Sequence, residues 1–208
     1  MRCASYCNSY YFLESAESDA TPITISFLMP KLRWLLLLSQ IPATASSARV
    51  ALWRRLRAAG ATSVEHGAWM LPATEPHQTL LNELAQTVQA QGGSASLFEA
   101  TAVSDDNEMI ERFANDRQRE YQEFGTRAQG LLDEVAKEIA AQKFTFAELE
   151  EVEDDLKKLE VWLCKISARD FFAGYALTAA QEQLGACARA VENFAANVYE
   201  ADGIAGRD

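Results

Sequence analysis

Histidine is nearly absent: His66 and His77 are the only two in 208 residues. With so few candidates, no Ser/His/Asp or Cys/His nucleophile arrangement can be assembled from the sequence. Cysteine is scarce as well. Cys3, Cys7, Cys164 and Cys187 form no CxxC and no Cys/His cluster, so a zinc site lacks ligands at usable spacing. No Gly-rich phosphate loop follows a strand, and no cofactor motif is present. No apolar run approaches the ~20 residues of a spanning helix, which argues against a membrane role. Basic residues are outnumbered, 19 Lys and Arg against 30 Asp and Glu, for a net charge of −11. A chain this acidic is not a general coat for nucleic acid or membrane, and any such contact needs a local basic patch. These absences favour a reduced, cytoplasmic, non-enzymatic protein without metal or cofactor.

What is present is an ordinary globular composition, 49% hydrophobic and 24% charged. Residues 1 to 28 have little periodicity and read as a poorly ordered leader. Lys31, Arg33 and the following leucines could pass for a signal peptide, but the apolar core from Trp34 to Leu38 is too short. The segment reads better as a buried strand, about Arg33 to Ser39. Ser46 and Ser47 are N-cap candidates for a helix running to about Ala59, with Gly60 as its stop. Its phasing puts Leu52, Trp53, Leu56 and Ala59 on the inner face, with Arg49 joining them at the N-terminus. Arg54, Arg55 and Arg57 fall on the other face.

Two short strands follow, about Thr62 to Glu65 and Ala68 to Leu71, with a turn at His66-Gly67. Thr74-Glu75-Pro76 opens a second helix, and Ser94 to Glu99 is a further strand. The order is βαββαβ, a ferredoxin-like unit over residues 29 to 103. Residues 104 to 208 read as an antiparallel helical bundle, so the fold class is α+β. Ser104 or Asp105 caps a long helix from 106 to 141, with Ile110, Phe113, Phe124, Leu131, Val135 and Ile139 as apolar positions. Thr145 to Glu148 and Thr178 to Gln181 are capping boxes for two more helices. Leu149, Val152, Leu156, Leu159, Leu163 and Ile166 form a 3/4-spaced seam; Leu184, Cys187, Val191, Phe194 and Val198 form another. Arg169-Asp170-Phe171-Phe172 reads as a helix end with an aromatic anchor.

Charge is divided along the chain. Residues 30 to 70 carry six bases against Glu65 alone, a balance of +5, whereas residues 99 to 160 carry −10. A helix N-terminus with two hydroxyls and a guanidinium suits a small oxyanion, so Ser46, Ser47 and Arg49 are candidates. The competing reading makes Arg49 a salt bridge to the acidic helices. Lys31, Arg33, Arg54, Arg55 and Arg57 complete a basic set for oxyanion or DNA phosphate. The acid run from Glu148 to Asp155 reads as a solvated helix face.

Trp34-Leu-Leu-Leu-Leu, Ser46-Ser47-Ala48-Arg49-Val50 with Trp53-Arg54-Arg55-Leu56, and His66-Gly67-Ala68-Trp69-Met70-Leu71-Pro72 resemble the N-terminal region of the ChrB chromate-resistance family. Phe144-Thr-Phe-Ala-Glu-Leu-Glu-Glu, Lys158-Leu-Glu-Val-Trp-Leu and Arg169-Asp-Phe-Phe are similar to the same family. The first part also resembles the middle domain of PaaX-type repressors. The resemblance implies transcriptional control of a chromate efflux operon, with chromate or a similar oxyanion and DNA as ligands. It also implies a second copy or a separately encoded C-terminal ChrB-type domain as partner, docked on the bundle.

Overall fold

The computed structural model describes residues 31–172 and 174–203. The expected leader at residues 1 to 28, with Cys3 and Cys7, lies outside the described residues. The elements run β1 (Arg33–Gln40), α1 (Ser46–Ala58), β2 (Thr62–Glu65), β3 (Ala68–Pro72), α2 (Glu75–Ala90), β4 (Ser94–Thr101), α3 (Asn107–Ala140), α4 (Phe146–Ser167) and α5 (Tyr175–Ala201). The four strands form one antiparallel sheet in the order β2-β3-β1-β4. This is the ferredoxin-like arrangement that the βαββαβ order implies, and the chain is α+β.

Alternation along β1 sends its side chains to opposite faces of the sheet. Leu35 and Leu37 face α1 and α2, packing with Leu52, Leu56, Leu81, Leu84 and Val88. Trp34 points to the opposite face, where its ring stacks on Phe113 of α3 at 5.6 Å between centroids. The hairpin between β2 and β3 turns at Gly67, whose φ of +78° is open to glycine. A Cβ there would lie 2.3 Å from the Ser39 carbonyl oxygen, so two requirements exclude a side chain.

The second core joins α3, α4 and α5 through Phe124, Leu131, Val135, Leu149, Val152, Leu163, Ile166, Val191 and Phe194. Both 3/4 seams are thus spent inside the bundle. Cys187 is buried and its Sγ lies 3.3 Å from the Ala128 carbonyl oxygen, with burial raising its pKa. It is a packed thiol, as its phase indicates. Thr145 accepts from the Glu148 amide as the capping box predicts, and Thr74 accepts from His77 in the same way. The long helix α3 serves both layers: its N-terminal half covers part of the sheet, and its C-terminal half enters the bundle.

Several local expectations need correction. Ala45, not Ser46 or Ser47, is the N-cap of α1, and no side chain caps that helix. The Ala45 amide already donates to the Pro42 carbonyl, so the turn closes before the serines and leaves them within the first helical turn. Trp53 is 53% exposed although the helical wheel places it inside. The core meets α1 only at Leu52 and Leu56, a stripe too narrow to include position 53. The Asp105 carboxylate accepts from the Asn107 amide at 3.0 Å, but the N-cap of α3 is Asp106 rather than Ser104 or Asp105, and the Asp106 side chain makes no cap bond. Its carboxylate instead accepts from Trp34 Nε1 at 2.7 Å and from the Leu32 amide at 3.1 Å, tying β1 to the start of α3. Gly174 precedes α5, so Thr178 lies inside the helix rather than at its cap. Ile139 is 37% exposed and lies at the rim of the bundle core.

Phe113 touches Trp34, Phe171 and Phe172, so Phe113→Ala empties the junction of sheet and bundle. Urea unfolding should show a loss of about 3–5 kcal/mol for this variant. Trp53→Ala should cost less than about 0.5 kcal/mol because the ring lies largely in solvent.

Candidate functional site

The structure disperses the basic residues that the sequence groups together. Lys31 donates from Nζ to the Ala102 and Val103 carbonyls, both at 2.9 Å. Arg33 pairs with Glu99 at 3.0 Å across the β1–β4 register, and Arg55 pairs with Glu83 of α2 at 3.1 Å. Both pairs are exposed and worth little. Arg54 is exposed and has no hydrogen-bond or ion-pair partner among the described residues. Ser46 and Ser47 are exposed as well.

Arg49 neither points inward nor bridges the acidic helices. It is exposed, and its guanidinium folds back over the preceding loop toward the Pro42 and Ala43 carbonyls at 3.4 and 3.3 Å. The helical wheel treats α1 as buried along its whole length, whereas burial begins at Leu52, a turn later. The salt bridge that joins sheet and helices is made by Arg57 instead. Its Nη1 lies 2.8 Å from Asp116 Oδ2 on α3, with both side chains partly buried, and Thr62 of β2 donates to the same oxygen at 3.3 Å.

Arg57 stands at one end of a polar cluster buried between the two layers. Arg117, one turn along α3 from Phe113, has a side chain only 4% exposed. Its Nη2 approaches Glu120 at 3.4 Å, long for a charge-assisted bond. Its Nε and Nη1 have no hydrogen-bond partner among the described residues. Glu120 turns its other oxygen to Arg169, which donates from Nη2 at 2.7 Å, while the Nε of Arg169 is also buried without a partner. The neighbouring Tyr121 hydroxyl donates to Asp170 at 2.8 Å. Burial, then this bond to a carboxylate, raises the Tyr121 pKa and keeps the phenol protonated.

Burial is also the largest influence on Arg117, lowering its pKa. Glu120 and Asp116 oppose that shift, while Arg169 and Arg57 add to it. Around Arg117, then, two carboxylates face three guanidiniums, its own included. Asp170, held by Tyr121, lies beyond that inner set. The backbone makes the convergence possible at Gly60, whose φ is +82°. A Cβ at that glycine would stand 3.0 Å from the Cβ of Arg169 and 3.1 Å from the Phe171 ring. The turn after α1 therefore comes close against the segment after α4.

Aromatic rings wall this cluster. Phe171 and Phe172 lie against Phe113, and Phe172 also meets Trp34. The aromatic anchor expected of Arg169-Asp170-Phe171-Phe172 is present, and both charged residues of the motif are engaged with α3. His77 meets Phe171 edge to face at 5.1 Å, and its Nδ1 lies 2.8 Å from the Pro72 carbonyl oxygen. His66 is exposed at the hairpin turn. No group of three or more His, Cys, Asp or Glu is placed to hold a metal among the described residues. No described helix is long and apolar enough to cross a membrane.

Apart from Arg57, the sequence reading did not assign these cluster residues to the site. The signal was available in α3. Phe113, Arg117, Tyr121, Phe124, Ala128, Leu131 and Val135 all lie on its buried stripe, so Arg117 is a cation at a core position. A charged residue on an apolar phase marks a buried interaction, and its partners come from distant segments that local spacing cannot reveal.

Two solution tests follow from this geometry. Arg57→Ala should cost about 1–2 kcal/mol because it leaves Asp116 in a partly buried site. Arg54→Ala should stay within about 0.5 kcal/mol. Burial lowers the His77 pKa against the weaker opposing effect of its bond to Pro72. The unfolded chain therefore takes up the proton first, and stability should fall as pH drops through about 6.5. His77→Gln should flatten that acid-side loss in urea midpoints; an unchanged slope would contradict the assignment.

Comparison with known proteins places this architecture. A family described as "Protein ChrB, N-terminal" matches residues 49–204, which run from within α1 through the end of α5 and include Arg57, Arg117, Glu120 and Arg169. A 95-residue stretch is 35% identical to Protein ChrB of Cupriavidus metallidurans. That stretch covers 46% of this chain and 29% of the Cupriavidus protein, less than a third of its length. The family match spans well over half of the chain, and the chain belongs to the ChrB N-terminal family of chromate-resistance proteins.

Proposed function

We propose that this chain is a non-catalytic, cytoplasmic regulatory module that responds to chromate or a similar oxyanion in control of a chromate efflux operon. Family membership carries the reading. The physical support is a cation excess placed locally in an acidic protein. Residues 30 to 70 carry +5 in a chain of −11, with Arg33, Arg55 and Arg57 paired to acids outside that segment. On α1, Arg49 and Arg54 are exposed with neither in a salt bridge, and Arg55 has only its exposed bridge to Glu83. These residues form the surface on which DNA phosphates would be held, positioning the protein without reading bases.

A second reading is an interaction module that works with a C-terminal ChrB-type domain. The Cupriavidus relative extends far beyond the matched stretch, which favours it. The α4 and α5 seams are not available for that docking, because they are covered within the bundle. A partner would have to use another face.

Fluorescence anisotropy with the operon's promoter DNA tests the first reading. Binding should occur near 50 mM salt, weaken steeply by about 200 mM, and fall when Arg54 and Arg55 are both changed to Glu. Chromate should shift the affinity. Absence of binding at low salt with unaltered affinity for a C-terminal domain would move the assignment to the second reading.

A further inference from the structure

Arg117 is the least explained charge in the protein. Taking a guanidinium out of water is costly unless its donors are used, yet two of its three nitrogens find no partner among the described residues. One of the three nitrogens of Arg169 is in the same position. Glu120 already shows what fits between these two arginines: a single carboxylate, with one oxygen toward each guanidinium. It serves them unequally, at 2.7 Å to Arg169 and 3.4 Å to Arg117. Two oxygens and one negative charge are shared by two cations, with a third, Arg57, nearby and committed to Asp116.

From this geometry we propose that the cluster of Arg117, Arg169 and Arg57 at the junction of sheet and bundle is a binding site for a small tetrahedral oxyanion. The inference rests on the oxyanion reading above and gives that anion a place other than the N-terminus of α1. A tetrahedral dianion brings four acceptor oxygens and two charges, enough to engage the nitrogens that one carboxylate leaves unserved. Access is from the rim, since Arg57, Asp116, Glu120 and Arg169 keep between 19% and 33% of their side-chain surface. Glu120 is the anion's competitor: it holds the same two guanidiniums, and bound oxyanion displaces its weaker contact to Arg117.

The competition gives opposite signs for two variants, which a general loss of folding cannot imitate. The full chain is titrated by calorimetry with sodium sulfate and with sodium chromate, each variant first checked for native circular dichroism. Arg117→Lys keeps the charge but removes the planar donors, and should weaken binding at least tenfold. Glu120→Gln removes the competing charge and should tighten binding severalfold. Arg49→Ala should leave it unchanged. If Arg117→Lys does not fold, Arg169→Gln takes its place with the same expected loss. Binding that survives in the cluster variants and disappears in Arg49→Ala overturns this site and leaves the oxyanion reading standing. Failure of the unaltered protein to bind either anion removes the oxyanion reading and this site together.

Discussion

A guanidinium held between a sheet and a helical bundle sets the terms for the rest of this protein. Arg117 occupies a core position on α3, where a leucine or phenylalanine would satisfy the packing at no electrostatic cost. It is surrounded by acids on the same helix that favour its charge, by an arginine from each neighbouring segment that opposes it, and by a group of aromatic rings at the same junction. Asp116 and Glu120 supply the first, and Arg57 and Arg169 the second. Trp34, Phe113, Phe171 and Phe172 supply the third. These residues come from β1, α1, α3 and the segment after α4, so the cluster assembles only when both layers are in place.

The arrangement explains why α3 is so long. A shorter helix could close the bundle or cover the sheet, but one 34-residue helix does both and carries the cluster where its two tasks meet. Asp106 fixes its beginning to β1, Arg57 and Thr62 fix its third turn to α1 and β2, and Arg169 and Tyr121 fix it to the segment after α4. A charge change at the cluster bears on the attachments through Arg57 and Arg169 together. On the proposed regulatory reading, in which the presence of a small ion becomes a change felt elsewhere, a polar junction between two packed layers is a suitable place. An exposed helix end has no second layer to move.

Much of the fold was legible because periodicity reports burial. The alternation in β1, the 3/4 seams of α4 and α5, the capping threonine at 145 and the turn at Gly67 all depend on neighbours close in sequence. The site was less legible for the same reason. Arg49 was attractive as a helix-opening cation, but its surroundings are set by the loop at Pro42 and Ala43, which lies over the first turn. Helical phase groups Arg57 with Arg54 and Arg55, yet only Arg57 meets α3, because it sits in the last turn of α1 within reach of the Asp116 carboxylate, to which Thr62 of β2 also donates. Arg169-Asp170 resembled a helix end, and its partners, Glu120 and Tyr121, lie 49 residues back. The residue that could have drawn attention was Arg117, a charge placed where the stripe from Phe113 to Val135 calls for an apolar side chain.

The most direct test is crystallographic. Crystals of the full chain grown without sulfate and soaked briefly in chromate give an anomalous signal from chromium that locates the anion without assumption. A peak within hydrogen-bond distance of Arg117 and Arg169, with Glu120 turned away from Arg117, is the expected result. A peak confined to the N-terminus of α1, or none in crystals that remain intact at saturating chromate, would contradict a binding site at the junction.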